Sequence, residues 1–292
     1  MARGQRFGLA WERAESVDTD RWPNGRGAAA QSGGAMYLGC SSQSYDDVLQ
    51  SGELTLVDWL TLAADDLGLR AVELEDKHIG DPTPARLDQL RAAAERHGLE
   101  LVNIALMNNF GVERADRRAG EEARTIEWIA VARRLGARHL RTFAGWPEGD
   151  REARWPGMVA SLRLVCARAA AAGMPLVMEN HNHGGFVQTA ADVEAIFGAV
   201  ASPALGLLLD TGNFLDGLPS IIRTAPLAAH VHAKCMRIAP DGHDERVDNE
   251  GALRAVTAAG YRGCVSVEYE GEEPSRTAVP RAIQFLRRLL GE

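Results

Sequence analysis

From residue 36 onward, short apolar runs alternate with longer stretches whose apolar positions recur at helical spacing. The first run, Met36-Tyr37-Leu38-Gly39-Cys40, has the length of a buried strand, and Leu56, Trp59, Leu60 and Ala63 then mark one face of a helix over 54–67. Gly68 closes that helix. The unit then repeats. Strands are predicted at 70–74, 99–106, 138–143, 175–178, 205–209, 228–231 and 264–267, with helices at 84–97, 121–135, 155–172, 190–197, 218–224, 250–259 and 278–290. Pro84 suits a first helical turn, and Gly98, Gly136 and Gly173 each follow a helix end. Strands alternating with helices predict a parallel sheet, and eight such units in roughly 250 residues predict an α/β fold of the closed (β/α)8 TIM barrel type over 36–292. No Gly-x-Gly-x-x-Gly follows the first strand, which removes the main support for a doubly wound dinucleotide fold. Residues 1–35 keep no sustained period and are rich in Gly, Ala, Asn and Ser between Pro23 and Gly34. They predict a disordered or loosely docked arm, with Met36 as an alternative start.

Four successive apolar runs stop on a side chain that can bind metal: Glu179 after 175–178, Asp210 after 205–209, His232 after 228–231 and Glu268 after 264–267. In a barrel, the C-terminal ends of neighbouring parallel strands face one mouth, where barrel enzymes place their active sites. The four groups are therefore expected to converge. A lone strand-end carboxylate is more often a cap or a surface group, and a lone histidine more often a satisfied polar residue. It is their joint occurrence on consecutive strands that carries the reading. Three carboxylates and one imidazole form a hard, oxygen-rich set suited to one divalent ion, Mn2+ first, with Mg2+, Co2+ or Zn2+ as alternatives. Other strand-end residues are candidates for lining a polar substrate pocket: Glu75 and His78, Asn108 and Asn109, Arg141 and Trp146, His181 and His183, and Lys234. For each of these, a loop or packing role is an equal alternative.

Composition narrows the partners. The formal charge of −8 disfavours a nucleic-acid partner, which calls for a basic footprint, and equally an acidic membrane surface. No run approaches the roughly 18 apolar residues of a membrane span, and the start lacks the apolar core of a signal peptide. Cys40, Cys166, Cys235 and Cys264 are scattered without a Cys-x-x-Cys pair. A cytoplasmic protein with reduced cysteines is expected, acting on a small molecule, with a homo-oligomer allowed.

The tetrad, with Gly-Leu-Leu-Leu-Asp-Thr-Gly-Asn-Phe around Asp210, His-Val-His-Ala-Lys around His232 and Gly-Cys-Val-Ser-Val-Glu-Tyr-Glu-Gly around Glu268, resembles the xylose-isomerase-like sugar isomerase/epimerase family. The resemblance covers about 36–290 and includes the tagatose 3-epimerase-like, hydroxypyruvate isomerase-like and inosose dehydratase-like branches. It implies that His232, and not His230, ligates the metal, and that Glu179 and Glu268 both bind metal and handle the proton. It implies a sugar isomerase or epimerase that abstracts a proton next to a carbonyl through a metal-stabilised enediolate, with a lyase or dehydratase acting on an inosose or 3-keto-glycoside as alternative. A non-catalytic partner subunit is a minor alternative, opposed by the intact tetrad. At the epimerase branch's substrate positions this chain departs from the pattern: Asn213 stands where that branch has His and Gly185 where it has Glu, while Arg237 is displaced by one residue. A substrate without phosphate is expected, because the loop after the eighth strand carries Glu270, Glu272 and Glu273 where a phosphate would sit, with Lys234, Arg237 and Arg276 to offset them.

Overall fold

The computed structural model describes residues 35–292. The arm expected at 1–35 lies outside that range except for Ala35, which is exposed. The elements run β1 (Tyr37–Ser41), α1 (Asp46–Gln50), α2 (Leu56–Asp65), β2 (Ala71–Glu75), α3 (Asp76–Ile79), α4 (Pro84–Arg96), β3 (Glu100–Ala105), α5 (Ala115–Leu135) and β4 (His139–Thr142). They continue with α6 (Arg151–Ala172), β5 (Leu176–Glu179), α7 (Ala190–Val200), β6 (Leu205–Asp210), α8 (Leu218–Thr224), β7 (Ala228–Cys235), α9 (Asn249–Ala258), β8 (Cys264–Tyr269) and α10 (Ser275–Leu290). All strand pairs are parallel, and β1 pairs with β8 from Tyr37↔Cys264 to Cys40↔Val267, closing an eight-stranded barrel in sequence order.

Local chemistry sets the helix boundaries. Thr55 and Thr83 cap α2 and α4 through bonds from Asp58 N and Arg86 N, and Thr189 with Asp192 forms a reciprocal capping box on α7. Helices α5 and α6 begin earlier than their apolar spacing predicts, at Ala115 and Arg151 in place of 121 and 155. Their first turns are polar and mostly exposed, so the periodicity starts only where each helix reaches the barrel. Asp150 supplies the missing start signal for α6 by accepting from Glu152 N and Ala153 N.

The main core lies between the outer face of the strands and the helices, where Trp59, Leu60, Leu90, Ile104, Leu140, Leu162, Ile196 and Val231 are buried. Each such side chain contributes about 1.5–3 kcal/mol. Inside the barrel the apolar fill is sparse: Ala71, Val102 and Cys264 near the strand starts, and Val177, Leu208 and Ala229 on the β5–β7 side. Between the strand starts and the mouth the interior is polar, with Glu73, Asn103, His139, His230 and Ser266 all buried. That layer follows from register, since Glu73 on β2 is level with Asn103 on β3, and Asn103 with His139 on β4. A cavity of about 570 Å³ opens at the strand starts between Tyr37, Arg70, Glu100, Arg138 and Glu292, at the opposite end from the candidate ligands.

Candidate metal centre

Glu179 and Asp210 are the last residues of β5 and β6, whereas β7 and β8 run past His232 and Glu268 to Cys235 and Tyr269. β7 and β8 thus carry their candidate ligands within regular ladder, not at its end as the apolar runs suggested. The four side chains converge: one donor atom from each lies within 4.8 Å of all the others, and all four residues are buried. His232 Nδ1 stands 3.3 Å from Glu268 Oε1, 3.8 Å from Glu179 Oε1 and 3.9 Å from Asp210 Oδ2. His232 Nδ1 is buried without a hydrogen-bond partner, while Asp210 Oδ2 and Glu179 Oε2 are met only by the cations Lys234, at 3.3 Å, and Arg141, at 3.0 Å. Buried polar atoms are nearly always satisfied, so an unpartnered imidazole nitrogen facing three carboxylates that converge on one point fits a divalent cation.

The field at that point is negative. Burial, and then the charges of Glu268 and Glu179, push Asp210 well above the ordinary carboxylate range in spite of Lys234 beside it. Burial opposes the charge of Glu268 as well, but His232 and Lys234 hold it well below its usual value. Burial likewise disfavours an imidazolium at His232, yet Glu268 and Glu73 raise it well above the histidine range. Three carboxylates in low dielectric select for positive charge between them.

Glu73, which the strand pattern did not single out, supports this centre from below. His232 donates from Nε2 to Glu73 Oε1 and Oε2 at 2.9 and 3.0 Å, which leaves Nδ1 facing the carboxylates. His230 Nε2 meets Glu73 Oε2 at 2.9 Å and Ser266 Oγ at 3.1 Å. His232, and not His230, is the histidine whose ring nitrogen lies with Glu179, Asp210 and Glu268. Glu73, His230 and His232 also approach one another within 4.8 Å, but at hydrogen-bond lengths in which both imidazoles serve one carboxylate. Despite burial, His232 and His230 hold Glu73 well below the usual carboxylate range. A glutamate between Val72 and Leu74 in a strand buried on both faces was the available signal, since such a group needs a partner inside.

The structure brings several of the second-tier residues to the mouth. Lys234 Nζ contacts Glu268 Oε2, Asp210 Oδ2 at 3.3 Å and Glu270 Oε2 at 3.1 Å. Arg141 is buried with one terminal nitrogen 3.0 Å from Glu179 Oε2 and the other 3.1 Å from Glu75 Oε2. Burial pushes Glu75 up to about 8 against the pull of Arg141. Asn213 donates to Glu179 Oε1 at 3.4 Å. Phe143, Trp146, His181 and His183 form a run of ring contacts at centroid spacings of 4.7–5.4 Å, and Arg141 lies over Phe143 at 4.7 Å, joining that wall to the tetrad. Burial lowers His181 to about 4, so it serves the wall as a neutral ring.

Four candidates are engaged elsewhere in the structure. His78 is spent on structure, with its ring nitrogens at 2.8 Å from Ser42 Oγ and 2.8 Å from Asp46 Oδ1. Asn108 bridges β3 to β4: its amide oxygen accepts from Phe143 N and Thr142 Oγ1, and its amide nitrogen donates to Phe143 O. Arg237 is exposed and faces Glu245 at 3.8 Å. Asn109 is likewise a loop tie, accepting from Gly111 N and Trp146 N. In the loop after β8, Glu273 is paired with Arg281 and Arg276 with Glu53, leaving Glu270 and Lys234 as the charged pair in contact with the tetrad.

The sequence profile described as xylose isomerase-like TIM barrel matches residues 62–289. The chain belongs to that family. No curated protein sequence matches this xylose isomerase-like chain. Among solved structures, D-psicose 3-epimerase from Clostridium cellulolyticum H10, crystallised with D-tagatose, superimposes with a TM-score of 0.73 at 19% identity over 87% of this chain and 99% of its own. The 3-keto-D-glucoside 4-epimerase YcjR from E. coli gives a TM-score of 0.71 at 16% identity, covering 87% and 99%. The probable 3-DHS dehydratase AsbF from Bacillus anthracis gives 0.69 at 16% identity, covering 86% and 98%. At these identities the likeness establishes the shared barrel.

Proposed function

We propose that this chain is a divalent-metal-dependent isomerase or epimerase that moves a proton on the carbon beside a carbonyl of an unphosphorylated keto-sugar or related polyol. The observation that carries the reading is the tetrad itself, in which two glutamates from different strands, Glu179 and Glu268, share one point with Asp210 and His232. When bound there, Mn2+ or a similar hard ion would supply positive charge for the substrate oxygen that turns anionic as the proton leaves. The chain's own residues do the rest. Glu179 or Glu268 takes the proton; return by the other on the opposite face gives epimerisation, and delivery by the same group to the adjacent carbon gives isomerisation. Asn213 and Arg141 hold Glu179, Lys234 holds Glu268, and the Phe143–Trp146–His181 wall offers an apolar face to the C–H side of a sugar. Glu179 and Glu268, with Glu270 beside Lys234 at the mouth, favour an uncharged substrate over a phosphorylated one. We assign the enzyme to the cytoplasm, in keeping with its four unpaired, buried cysteines.

The test is a screen of free ketoses, inososes and 3-keto-glycosides with added Mn2+ in deuterated water. Deuterium retained in an isomeric product supports proton transfer, whereas a product that has lost water or a glycosyl group supports the second reading, a lyase. That second reading draws on Asn213, which does not titrate as a histidine would and so leaves one proton carrier fewer beside Glu179. Full turnover by a rigorously metal-free sample would overturn both.

A further inference from the structure

Most polar side chains around the mouth have no hydrogen-bonding capacity to spare. Asn108 and His78 are saturated by the scaffold, Asn213 is turned to Glu179, and Lys234 is shared among three carboxylates. Among the described residues, apart from the candidate metal ligands and Asn182, whose amide faces Gly212 O, the strand-end groups left buried without a partner are Glu75 Oε1 and Arg141 Nε. These two belong to one construction. The guanidinium of Arg141 reaches Glu179 Oε2 with one nitrogen and Glu75 Oε2 with the other, at 3.0 and 3.1 Å. A planar fork held at both ends fixes Glu75 relative to Glu179. Ser42 Oγ, at 2.9 Å from Glu75 N, pins the backbone at the same place.

We propose that Glu75, held by Arg141, is a recognition arm that binds a substrate hydroxyl away from the carbonyl, so that the ligand spans from the metal ligands on β5–β8 to the β2–β4 wall. The proposal rests on the functional reading above and adds the substrate class to it, a polyhydroxylated and uncharged molecule. The chemistry of the free atom makes that choice. A carboxyl oxygen among carboxylates repels an anion, is wasted on an alkyl group and pairs well with a hydroxyl. Glu75 is a recognition residue and not a proton carrier in this scheme. Its carboxyl contacts none of the four ligands; Arg141 stands between.

The experiment uses the full chain loaded with Mn2+ and reads water-proton relaxation by the bound ion while D-fructose, D-tagatose and an inosose are added in turn. A ketone and hydroxyl that chelate the ion displace its water and lower the relaxation, which tests the functional reading by itself. With a responding probe, Glu75→Ala is expected to keep Mn2+ affinity within about threefold and to weaken probe binding by about tenfold or more, the scale of one lost hydrogen bond to a buried group. Glu75→Gln, which restores an acceptor of the same shape, is expected to recover most of that loss. Undiminished probe binding by Glu75→Ala overturns the recognition arm and leaves the functional reading standing. Loss of Mn2+ affinity in step with probe binding, unrescued by Glu75→Gln, overturns it in favour of a structural role. If no probe lowers the relaxation in the unaltered protein, the chelation reading fails and the recognition arm falls with it.

Discussion

The half of the barrel formed by β5–β8 and the half formed by β1–β4 differ in where they interrupt their apolar pattern. On β5–β8 four interruptions, Glu179, Asp210, His232 and Glu268, meet around one point toward the mouth, with only His230 and Ser266 below them. On β2 and β3 they fall inside the strands, at Glu73 and Asn103, and β4 begins on His139 at the same level, all three buried. A polar residue that ends a strand announces a site. One that sits inside a strand looks like noise until the partner across the barrel is known, and the partner of Glu73 is 159 residues away at His232. β5–β8 supply the candidate ligands, and Glu73 of β2 and Arg141 of β4 supply groups that hold them from across the barrel.

The sharpest way to break this division is to attack the ligand half first. Glu179→Gln and Glu268→Gln are each expected to lower turnover by on the order of 100-fold or more while the folded barrel persists, read by steady-state rates beside circular dichroism. A next step tests whether support really comes from across the barrel. Glu73→Gln should weaken metal binding by about 10–100-fold, measured by calorimetric titration with Mn2+, because the Nε2 bond that orients His232 is weakened. Unchanged affinity would mean that His232 is positioned by packing alone.

Smaller effects separate scaffold from site within the β1–β4 half. Asn108→Ala is expected to cost about 1–3 kcal/mol of stability in urea unfolding, since it strands the buried Phe143 N and Phe143 O groups, with Mn2+ affinity untouched. At the low end, Arg237→Ala should move stability by no more than about 0.5 kcal/mol and leave turnover as it was, as befits an exposed side chain facing Glu245. A marked loss of turnover there would place Arg237 back in the substrate site.

The same contrast explains what could be read from the amino-acid sequence. The barrel was legible because each strand-helix unit carries its own apolar period, and Thr83, Gly136 and Gly173 mark ends by local chemistry. The convergence of Glu179, Asp210, His232 and Glu268 was legible because each member stops an apolar run. Helix starts at Ala115 and Arg151 were not, because their first turns face outward and carry no period. Nor were the fates of His78 and Asn108, which depend on Ser42, Asp46 and Phe143 standing at particular distances in three dimensions. Glu73 and the Arg141 bridge are of the same kind, contacts between strands far apart in the chain.

On β7, residues His230, His232 and Lys234 alternate with Val231, Ala233 and Cys235, so one inward row carries in ascending order a prop for Glu73, a ligand and a counter-charge for Glu268. Because side chains on a strand alternate, a slip of one residue would turn all three outward into the helix layer together. Point replacements along this strand are therefore separable, each touching one function. A single-residue deletion in the 225–227 turn before it is not: it would remove the prop, the ligand and the counter-charge in one event, unless the irregularity between Leu207 and Leu208, opposite the start of β7, absorbed the change. In the inheritance of this family, loop length ahead of β7 should be constrained more tightly than any one residue within that turn.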